Sequence, residues 1–344
     1  MQALVKVKSG QGFVELQEIE KPTPGENEVL IRVRVAGICG TDLHIYEGGF
    51  PSNPPVVLGH EFSGEIVEVG RKVTHFRRGD RVVAEPHKGG CGICRFCLNG
   101  EVSLCAEKKA TGYKWDGCFM PFVTMPAFSL HRIPENVSFE QAALSEPLAV
   151  VVRAMLERST VEPEDFVVVL GCGPIGLLAA AVARAEGARS VLITGTNLDE
   201  KMRLSTARQM QIDHVLNVQK EEVIERVNRL TGGLGADLVV EASGAEPAIW
   251  QAFDLVRRNG RICGLGLTGK DKVSLPWDTA IKKAAQLKFS LSSSWTSWER
   301  ALSMLSNRKV VVDPLITQTL PLTAWKEAFE ILRRMEAIKI LLVP

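Results

Sequence analysis

A glycine-rich turn between a strand and a helix is the feature that most constrains the fold of this chain. The stretch DFVVVLGCGPIG runs from an apolar strand into the spacing G-x-G-x-x-G, and the apolar, helix-like LLAAAVARAEGA follows it. Gly171 permits a tight turn, Gly173 lets the backbone approach a pyrophosphate, and Gly176 allows the helix to pack closely on the strand. The pyrophosphate would lie at the helix N-terminus, so Pro174 and Ile175 are also predicted coenzyme contacts.

Strand-like and helix-like segments alternate after this turn. SVLITG precedes EKMRLSTARQM, HVLNV precedes EEVIERVNRLTGG, and ADLVVEASG precedes AIWQAFDLVRRNG, with GRICGLGL as a further strand. This alternation is typical of a doubly wound parallel sheet with helices on both faces. The middle of the chain is therefore predicted to be an α/β coenzyme-binding domain.

A four-cysteine loop precedes this region, within residues 89–105. Cys91, Cys94, Cys97 and Cys105 follow the spacing C-x2-C-x2-C-x7-C. Four thiolates around zinc make a closed tetrahedral site with no position for a substrate, so the predicted site is structural. Free thiols, a redox pair with two bystanders and a nucleic-acid-binding finger are the alternatives. The loop has few basic residues and no recognition-helix pattern follows it, which argues against the finger.

A second set of metal-ligand types lies on both sides of this loop in the sequence. Cys39 occurs in GICGTDLH, and His60 and Glu61 occur in VVLGHEFSGEIVEVG. A thiolate, an imidazole and a carboxylate are a mixture seen in catalytic zinc sites that keep one position open. Glu146 lies in the apolar stretch LSEPLAV, where an unpaired charge would be costly, and is therefore a further candidate ligand. Taken alone, Cys39 would more often be a small buried residue, and a lone His–Glu pair is a weaker signal still.

The charge balance and the segment pattern exclude several classes of protein. Lys and Arg number 41 and Asp and Glu number 40, so no strong net field recruits nucleic acid or an anionic membrane. The start MQALVKVKSG lacks the apolar core of a signal peptide, and glycines and Gly-Pro interrupt the apolar run FVVVLGCGPIGLLAAAVA. We therefore expect a cytoplasmic protein without a membrane span, in a compartment where clustered thiols hold metal.

GICGTDLH, LGHEFSG and the four-cysteine loop resemble the zinc-containing medium-chain alcohol dehydrogenase family. The GHE and EPLAV forms are more similar to its polyol and threonine dehydrogenase branch than to the simple-alcohol enzymes. The resemblance implies a largely β, GroES-like catalytic domain over 1–150 and 310–344. It also implies a Rossmann NAD(P)-binding domain over 151–309, with the active site in the cleft.

The resemblance also assigns roles to individual residues. It implies two zinc ions per chain, with Cys39, His60 and Glu146 at the catalytic one, and Glu61 either bound directly or behind a water. Thr41 and His44 match the proton-relay positions. LKFSLSSS matches the closing strand, and a segment from about Thr296 to Arg308 matches the last coenzyme-domain helix. The family further implies a homo-oligomer, either a dimer or a tetramer.

The turn expected to bind the adenosine ribose departs from the usual pattern. Gly195 stands where an aspartate would grip the ribose hydroxyls and repel a 2′-phosphate. Thr196, Lys201 and Arg203 are candidate phosphate partners, whereas Asp199 is a candidate replacement for the missing carboxylate. These alternatives stay open, with a slight lean towards tolerance of NADP.

The function predicted from these residues is hydride transfer between a secondary alcohol, in the first place a polyol, and NAD or NADP. Oxidation of an amino alcohol such as L-threonine is the alternative, and a non-catalytic regulatory protein on the same fold is a remote one. Arg153 stands where many relatives have histidine. It is interpreted either as a partner of Glu157 one helical turn away or as a contact for a charged substrate group. Cys118 replaces a usual glycine.

Overall fold

The computed structural model describes all 344 residues, which form two compact units. The first unit contains Met1–Ala149, Ser293–Asn307 and Ile316–Pro344, and the second contains Val150–Ser292 and Arg308–Leu315. No helix is both long and apolar enough to cross a bilayer.

Strands and helices are numbered in chain order. The strands are β1 Gln2–Lys6, β2 Val14–Glu18, β3 Glu28–Gly37, β4 Val56–Val57, β5 Glu61–Val69, β6 Arg81–Ala84, β7 Phe122–Pro126, β8 Leu130–Arg132, β9 Phe166–Leu170, β10 Ser190–Gly195, β11 His214–Asn217, β12 Ala236–Glu241, β13 Val256–Gly264, β14 Gln286–Phe289, β15 Ile316–Pro321 and β16 Lys339–Val343. The helices are α1 Gly40–Glu47, α2 Arg95–Leu98, α3 Phe139–Ala143, α4 Ser145–Val152, α5 Pro174–Ala185, α6 Ser205–Gln209, α7 Val223–Leu230, α8 Glu246–Leu255, α9 Trp277–Lys283, α10 Trp295–Ser306 and α11 Trp325–Arg333.

The first unit is built on β-sheets. A three-stranded sheet has the order β2-β1-β4, and a seven-stranded sheet has the order β15-β16-β3-β5-β6-β8, with β7 also paired to β3. The long strands β3 and β5 run antiparallel, and their register places Gly37 opposite Glu61. β16 pairs with β3 through Leu341 and Gly37. Residues from the two ends of the chain therefore meet beside the start of β5.

The second unit contains the predicted doubly wound sheet. Its six strands have the order β11-β10-β9-β12-β13-β14, and all five pairings are parallel. All five residues of the central strand β9 are buried, as expected for a strand that is covered on both faces. The prediction of a GroES-like unit together with a Rossmann sheet is confirmed.

Helix α10 groups with the first unit by its contacts. Its assignment to the coenzyme domain stays a prediction. Trp298 of this helix stacks on His131 of β8 at 5.5 Å between ring centroids, and Glu299 Oε1 lies 2.5 Å from His131 Nδ1. The helix begins at Trp295 because the Ser294 side chain accepts a hydrogen bond from the Ser297 amide. It ends two residues before Arg308, which has a left-handed φ of 55°.

Two further boundaries differ from the sequence-based prediction. The segment VRRNG, predicted as the end of a helix, begins β13, because Val256 pairs with Ala236 of β12. The segment predicted as one helix from Glu200 to Met210 is a π-helical turn over Glu200–Leu204 followed by the short α6. At the start of β13, strand pairing decided a segment whose local pattern was compatible with a helix.

Candidate functional site

The four cysteines of the loop converge on one point. One sulfur atom from each of Cys91, Cys94, Cys97 and Cys105 lies within 4.8 Å of all the others. Backbone amides donate to these sulfurs, including that of Cys94 to Cys91 Sγ at 3.4 Å. The amides of Ile93 and Cys94 lower the pKa of the Cys91 thiol to about 7. Four converging sulfur donors are the donor set that Zn²⁺ takes in closed sites, and these residues fit it.

Gly90 makes this convergence possible. A Cβ atom at Gly90 would lie 2.8 Å from Cys97 Sγ and 3.0 Å from Cys105 Sγ. Any larger residue would therefore push these two sulfurs apart. None of the eight cysteines forms a disulfide.

We expect Cys97→Ser to lower the zinc content by about one ion per chain and to lower the melting temperature. Metal bound only by the folded lobe contributes its binding free energy to folding, so the lobe becomes unstable without it. Zinc analysis combined with calorimetry measures both effects. A Cys97→Ser protein with the full zinc content and the parent's melting temperature would contradict the assignment of this loop as a structural zinc site.

A second group of donors lies where β3 ends and β5 begins. One donor atom from each of Cys39, His60 and Glu61 lies within 4.8 Å of the other two. Cys39 immediately precedes α1, and Glu61 opposes Gly37 in the β3–β5 register. A Cβ at Gly37 would lie 2.6 Å from Glu61 Oε2, so glycine leaves the space that this carboxylate occupies.

Asp42 is a functional residue that the sequence analysis missed. Its Oδ2 accepts a hydrogen bond from the Cys39 amide at 2.9 Å, and its Oδ1 lies 3.8 Å from His60 Nδ1. Oδ1 and Nδ1 are both buried and have no hydrogen-bond partner. A carboxylate that faces one ring nitrogen of a histidine leaves the other nitrogen for a metal, an arrangement typical of zinc sites. The spacing of Asp42, three residues after Cys39 at the start of a helix, was the available signal for it.

In the absence of a metal, the charges of this cluster favour the protonated form of His60. Burial disfavours the charged form of His60, but the neighbouring Cys39 sulfur raises the pKa of His60 to about 10. Burial also raises the pKa of Asp42. Because a metal ligand must be deprotonated, a cation binding here replaces the proton of His60. The donor set therefore fits zinc chemically as well as geometrically.

Lys339 is the second residue that the sequence analysis missed. Its Nζ lies 2.5 Å from Glu61 Oε2 and donates to the Ile38 carbonyl at 3.0 Å. Both side chains are almost fully buried. Burial opposes the ammonium charge, and Glu61 outweighs it, so the pKa of Lys339 is raised. A single lysine within the apolar strand KILLV was the available signal, since a buried cation needs a partner.

The remaining predicted ligand, Glu146, lies near the cluster but outside its 4.8 Å group. It is buried in α4, and burial raises its pKa to about 7. His60 and Lys339 act on it in the opposite direction, so its carboxylate is within electrostatic reach of both.

Thr41 and His44 lie one helical turn apart on α1 and differ in exposure. Thr41 Oγ1 is 3.7 Å from Cys39 Sγ, so it lies beside the donor cluster. The His44 side chain is 63% exposed and its Nδ1 lies 3.9 Å from Glu47 Oε2. An open cavity of about 680 Å³ runs along His44, Glu47 and Arg333 of α11. His44 therefore has direct access to solvent.

The glycine-rich turn has the geometry that its motif predicts. Gly171 has a φ of 100°, and a Cβ at Gly176 would lie 1.9 Å from the Gly171 carbonyl oxygen. Gly173 precedes α5, and Pro174 occupies its first turn, followed by Ile175.

The structure gives a physical reason for Gly195. A Cβ at this position would lie 2.5 Å from Cys172 Sγ, so an aspartate at the end of β10 does not fit above the glycine-rich turn. The Asp199 carboxylate makes its contacts within its own turn. Its Oδ2 accepts a hydrogen bond from the Thr196 amide at 2.9 Å, and its Oδ1 lies 3.1 Å from Arg203 Nη1. Lys201 is exposed. The turn thus places a neutralised carboxylate beside a guanidinium.

Arg153 is buried, 4% exposed, in a π-helical turn over Arg153–Arg158 that continues α4. Its two interpretations, a partner for Glu157 or a contact for substrate, remain predictions.

Comparison with known proteins places both units in known families. The model described as "Alcohol dehydrogenase GroES-like domain" matches residues 25–135, and the model described as "Zinc-binding dehydrogenase" matches residues 174–307. The chain is 42% identical over 344 residues to sorbitol dehydrogenase of Halalkalibacterium halodurans, covering 100% of this chain and 99% of the relative. It is 36% identical to L-threonine 3-dehydrogenase of Bacillus licheniformis, covering 100% of this chain and 99% of the relative.

Solved structures agree with this similarity. A zinc-binding dehydrogenase from Sinorhizobium meliloti 1021, bound to NADP, superposes with a TM-score of 0.92 at 27% identity. The match covers 100% of this chain and 99% of the other chain.

Proposed function

Because this chain belongs to the family of zinc-binding alcohol dehydrogenases, we propose that it oxidises a secondary alcohol, in the first place a polyol, with NAD or NADP as hydride acceptor. The observation that carries the proposal is the convergence of Cys39, His60 and Glu61, whose donor atoms lie within 4.8 Å of one another. The mixed donor set is the kind that leaves a position open for a substrate.

The cofactors supply the electrophile and the hydride acceptor. When bound, zinc acts as a Lewis acid that lowers the pKa of the substrate hydroxyl, and the oxidised nicotinamide accepts the hydride. Cys39 and His60 would hold the metal together with Glu146, the ligand that the family resemblance implies, and Glu61 would bind directly or through a water. Gly171, Gly173 and Gly176 would hold the coenzyme pyrophosphate at the start of α5.

The chain's own residues orient the ligands and carry the proton. Asp42 Oδ1 faces His60 Nδ1 at 3.8 Å and would orient the ring when the other nitrogen binds the metal. The Lys339 ammonium group lies 2.5 Å from one oxygen of Glu61, so its positive charge compensates the negative charge of this carboxylate. The Thr41 hydroxyl, beside Cys39, takes the proton of the substrate hydroxyl as it releases its own towards His44, and His44 passes a proton to solvent.

A panel of substrates with each coenzyme tests the proposal. We expect D-sorbitol or a related polyol to give reduced coenzyme faster than L-threonine does. The polyol is preferred because of the 42% identity to a sorbitol dehydrogenase; the 36% identity to an L-threonine 3-dehydrogenase supports the alternative. Formation of reduced coenzyme is followed by its absorbance. No turnover of any polyol, amino alcohol or simple secondary alcohol with either coenzyme would refute the proposal.

We predict that His44→Ala slows turnover mainly at low pH. Forming the alkoxide requires an outlet for a proton, and that requirement is greatest where protons are abundant. The side chain has this access, since it is 63% exposed. The dependence of kcat on pH, measured for parent and variant, checks this. Parallel pH profiles of kcat in the parent and the variant would show that His44 does not relay the proton.

We predict that Asp199→Ala leaves kcat/KM for NAD within about threefold of the parent and raises kcat/KM for NADP. Asp199 lies 3.1 Å from Arg203 and offsets its charge, so removing Asp199 leaves more positive charge in this turn for the 2′-phosphate. Charge-assisted hydrogen bonds contribute about 1.5–3 kcal/mol, or roughly ten- to a hundredfold in binding. A large fall in kcat/KM for NAD alone would show that Asp199 binds the ribose instead.

We also propose a homo-oligomer in a reducing compartment, the cytoplasm. β14 is the edge strand of the parallel sheet, and its last residue, Phe289, and the nearby Leu291 are 67% and 61% exposed. Exposed apolar residues at a sheet edge favour pairing with another copy. The loop thiols bind metal only when reduced, which supports the compartment. Light scattering that gives the mass of a single chain would contradict the oligomer.

A further inference from the structure

The parallel sheet of the second unit has its topological switch point between β9 and β12. From β9 the strands continue outward through β10 and β11, and from β12 they continue in the other direction through β13 and β14. Ligands of such sheets bind in the crevice outside the carboxyl ends of the two strands at this point. β9 ends at Leu170, immediately before the glycine-rich turn, and β12 ends at Glu241, which lies opposite Leu170 in the strand register.

Glu241 is 3% exposed, and neutral donors of the turn 242–244 surround its carboxylate. Its Oε1 accepts hydrogen bonds from the Ser243 amide at 2.9 Å, the Ser243 hydroxyl at 2.5 Å and the Gly244 amide at 3.0 Å. A buried carboxylate is costly unless donors such as these replace its hydration. The turn after β12 is therefore folded around this side chain.

The turn 242–244 packs against the turns that follow the neighbouring strands β9 and β13. A Cβ at Gly171 of the glycine-rich turn would lie 2.9 Å from Ser243 Cβ. On the other side, the amides of Leu265 and Gly266 donate to the Glu241 carbonyl at 2.8 Å and 3.0 Å. A Cβ at Gly266 would lie 2.6 Å from Glu241 Oε2. Three neighbouring turns at the carboxyl edge of the sheet thus meet at Glu241.

The position of Glu241 allows it to act on a ligand only through this turn. Ser243 is exposed at the edge of the sheet, whereas the Glu241 side chain is buried behind it. Its neutral isostere cannot hold the turn in the same way. A glutamine keeps one acceptor oxygen, but its amide hydrogens would face the Gly244 amide, which lies 3.2 Å from Oε2.

We propose that Glu241 is a positioning residue for the nicotinamide coenzyme. Its carboxylate fixes the turn 242–244 against Gly171 and so sets the shape of the crevice at the switch point. The inference rests on the part of the proposed function that gives this chain a nicotinamide coenzyme.

The test measures the dissociation constants of NADH and NADPH for the parent and for Glu241→Gln, from the quenching of tryptophan fluorescence. For the coenzyme that the parent binds more tightly, we expect the constant to rise about tenfold, the value of one hydrogen bond to a charged group. This measurement needs no alcohol, so its result does not depend on the identity of the substrate.

Ser243→Ala is a second variant, which decides the matter if Glu241→Gln does not fold. It keeps the Cβ atom that packs on Gly171 and removes the hydroxyl donor at 2.5 Å from Glu241 Oε1. We expect its dissociation constant for the same coenzyme to rise about threefold.

Asp237, near the amino end of the same strand, supplies the matched control. Its Oδ2 accepts a hydrogen bond from the Phe166 amide at 2.8 Å, and its Oδ1 lies 2.5 Å from Arg257 Nε. Asp237→Asn weakens contacts at the edge of the sheet opposite to the crevice. We expect it to lower the melting temperature and to leave the coenzyme dissociation constant within about twofold of the parent's.

The outcomes separate this inference from the function on which it rests. An unchanged dissociation constant in folded Glu241→Gln, or in Ser243→Ala if the first variant does not fold, would overturn the role of Glu241 alone. An equal rise in Asp237→Asn would also overturn it, because the effect would then follow from lost stability. A parent that binds neither NADH nor NADPH would overturn the proposed function and, with it, this inference.

Discussion

The Cys39→Ser variant is expected to lose about a thousandfold or more in kcat/KM while keeping its fold. Removing one thiolate weakens the open metal site, and the Lewis-acid contribution that depends on it amounts to several kcal/mol. Serine is a favourable residue immediately before a helix, so α1 should begin at the same position. Zinc analysis should find the loss of about one ion per chain, with the four-cysteine loop still loaded.

Cys263→Ser is the matched control for this prediction. Cys263 is buried in the second unit, and its sulfur lies 3.7 Å from the Ala154 carbonyl, an acceptor that a serine hydroxyl can also use. We expect this variant to keep its zinc content and its turnover. A Cys39→Ser enzyme with more than a tenth of the parent's kcat/KM would show that Cys39 does not hold a catalytic metal.

The second large effect is expected from Lys339→Met, measured as the free energy of unfolding in urea with a zinc chelator present. The change leaves the Glu61 carboxylate buried without its partner at 2.5 Å. Breaking a buried ion pair on one side costs about 3–5 kcal/mol, because the remaining charge is uncompensated. The chelator ensures that no metal supplies the missing positive charge.

The double variant Lys339→Met, Glu61→Gln separates the charge effect from lost packing. It removes both charges, so we expect it to recover at least half of the stability lost in the single variant. If Lys339→Met unfolds within about 1 kcal/mol of the parent, the ion pair does not stabilise the first unit. If the double variant recovers nothing, the loss comes from the packing of the methylene chain instead.

Features carried by local spacing were predictable from the sequence. The cysteine spacing brought four sulfurs to one point, since the loop that joins them is short and rich in glycine. The glycine-rich turn and the strand–helix alternation predicted the parallel sheet, because each signal depends on neighbouring residues. Cys39, His60 and Glu61 met because two adjacent motifs end and begin paired strands.

Features that depend on long-range pairing were not predictable in the same way. Lys339 and Glu61 are 278 residues apart, and only the pairing of β16 with β3 brings them together. The position of α10 depends on the stacking of Trp298 on His131, which no local pattern reveals. The sequence left open whether Asp199 binds the ribose, because the hydrogen bonds that hold it in its own turn depend on side-chain geometry.

Removal and return of zinc tests the central claim most directly. The measurement is the initial rate of reduced coenzyme formation from D-sorbitol before chelation, after chelation and after titration with zinc. The account predicts loss of the rate on chelation, with recovery on addition of zinc and none on addition of magnesium, because thiolate and imidazole donors favour zinc. A rate that is unchanged in protein shown by analysis to be free of zinc would contradict the account.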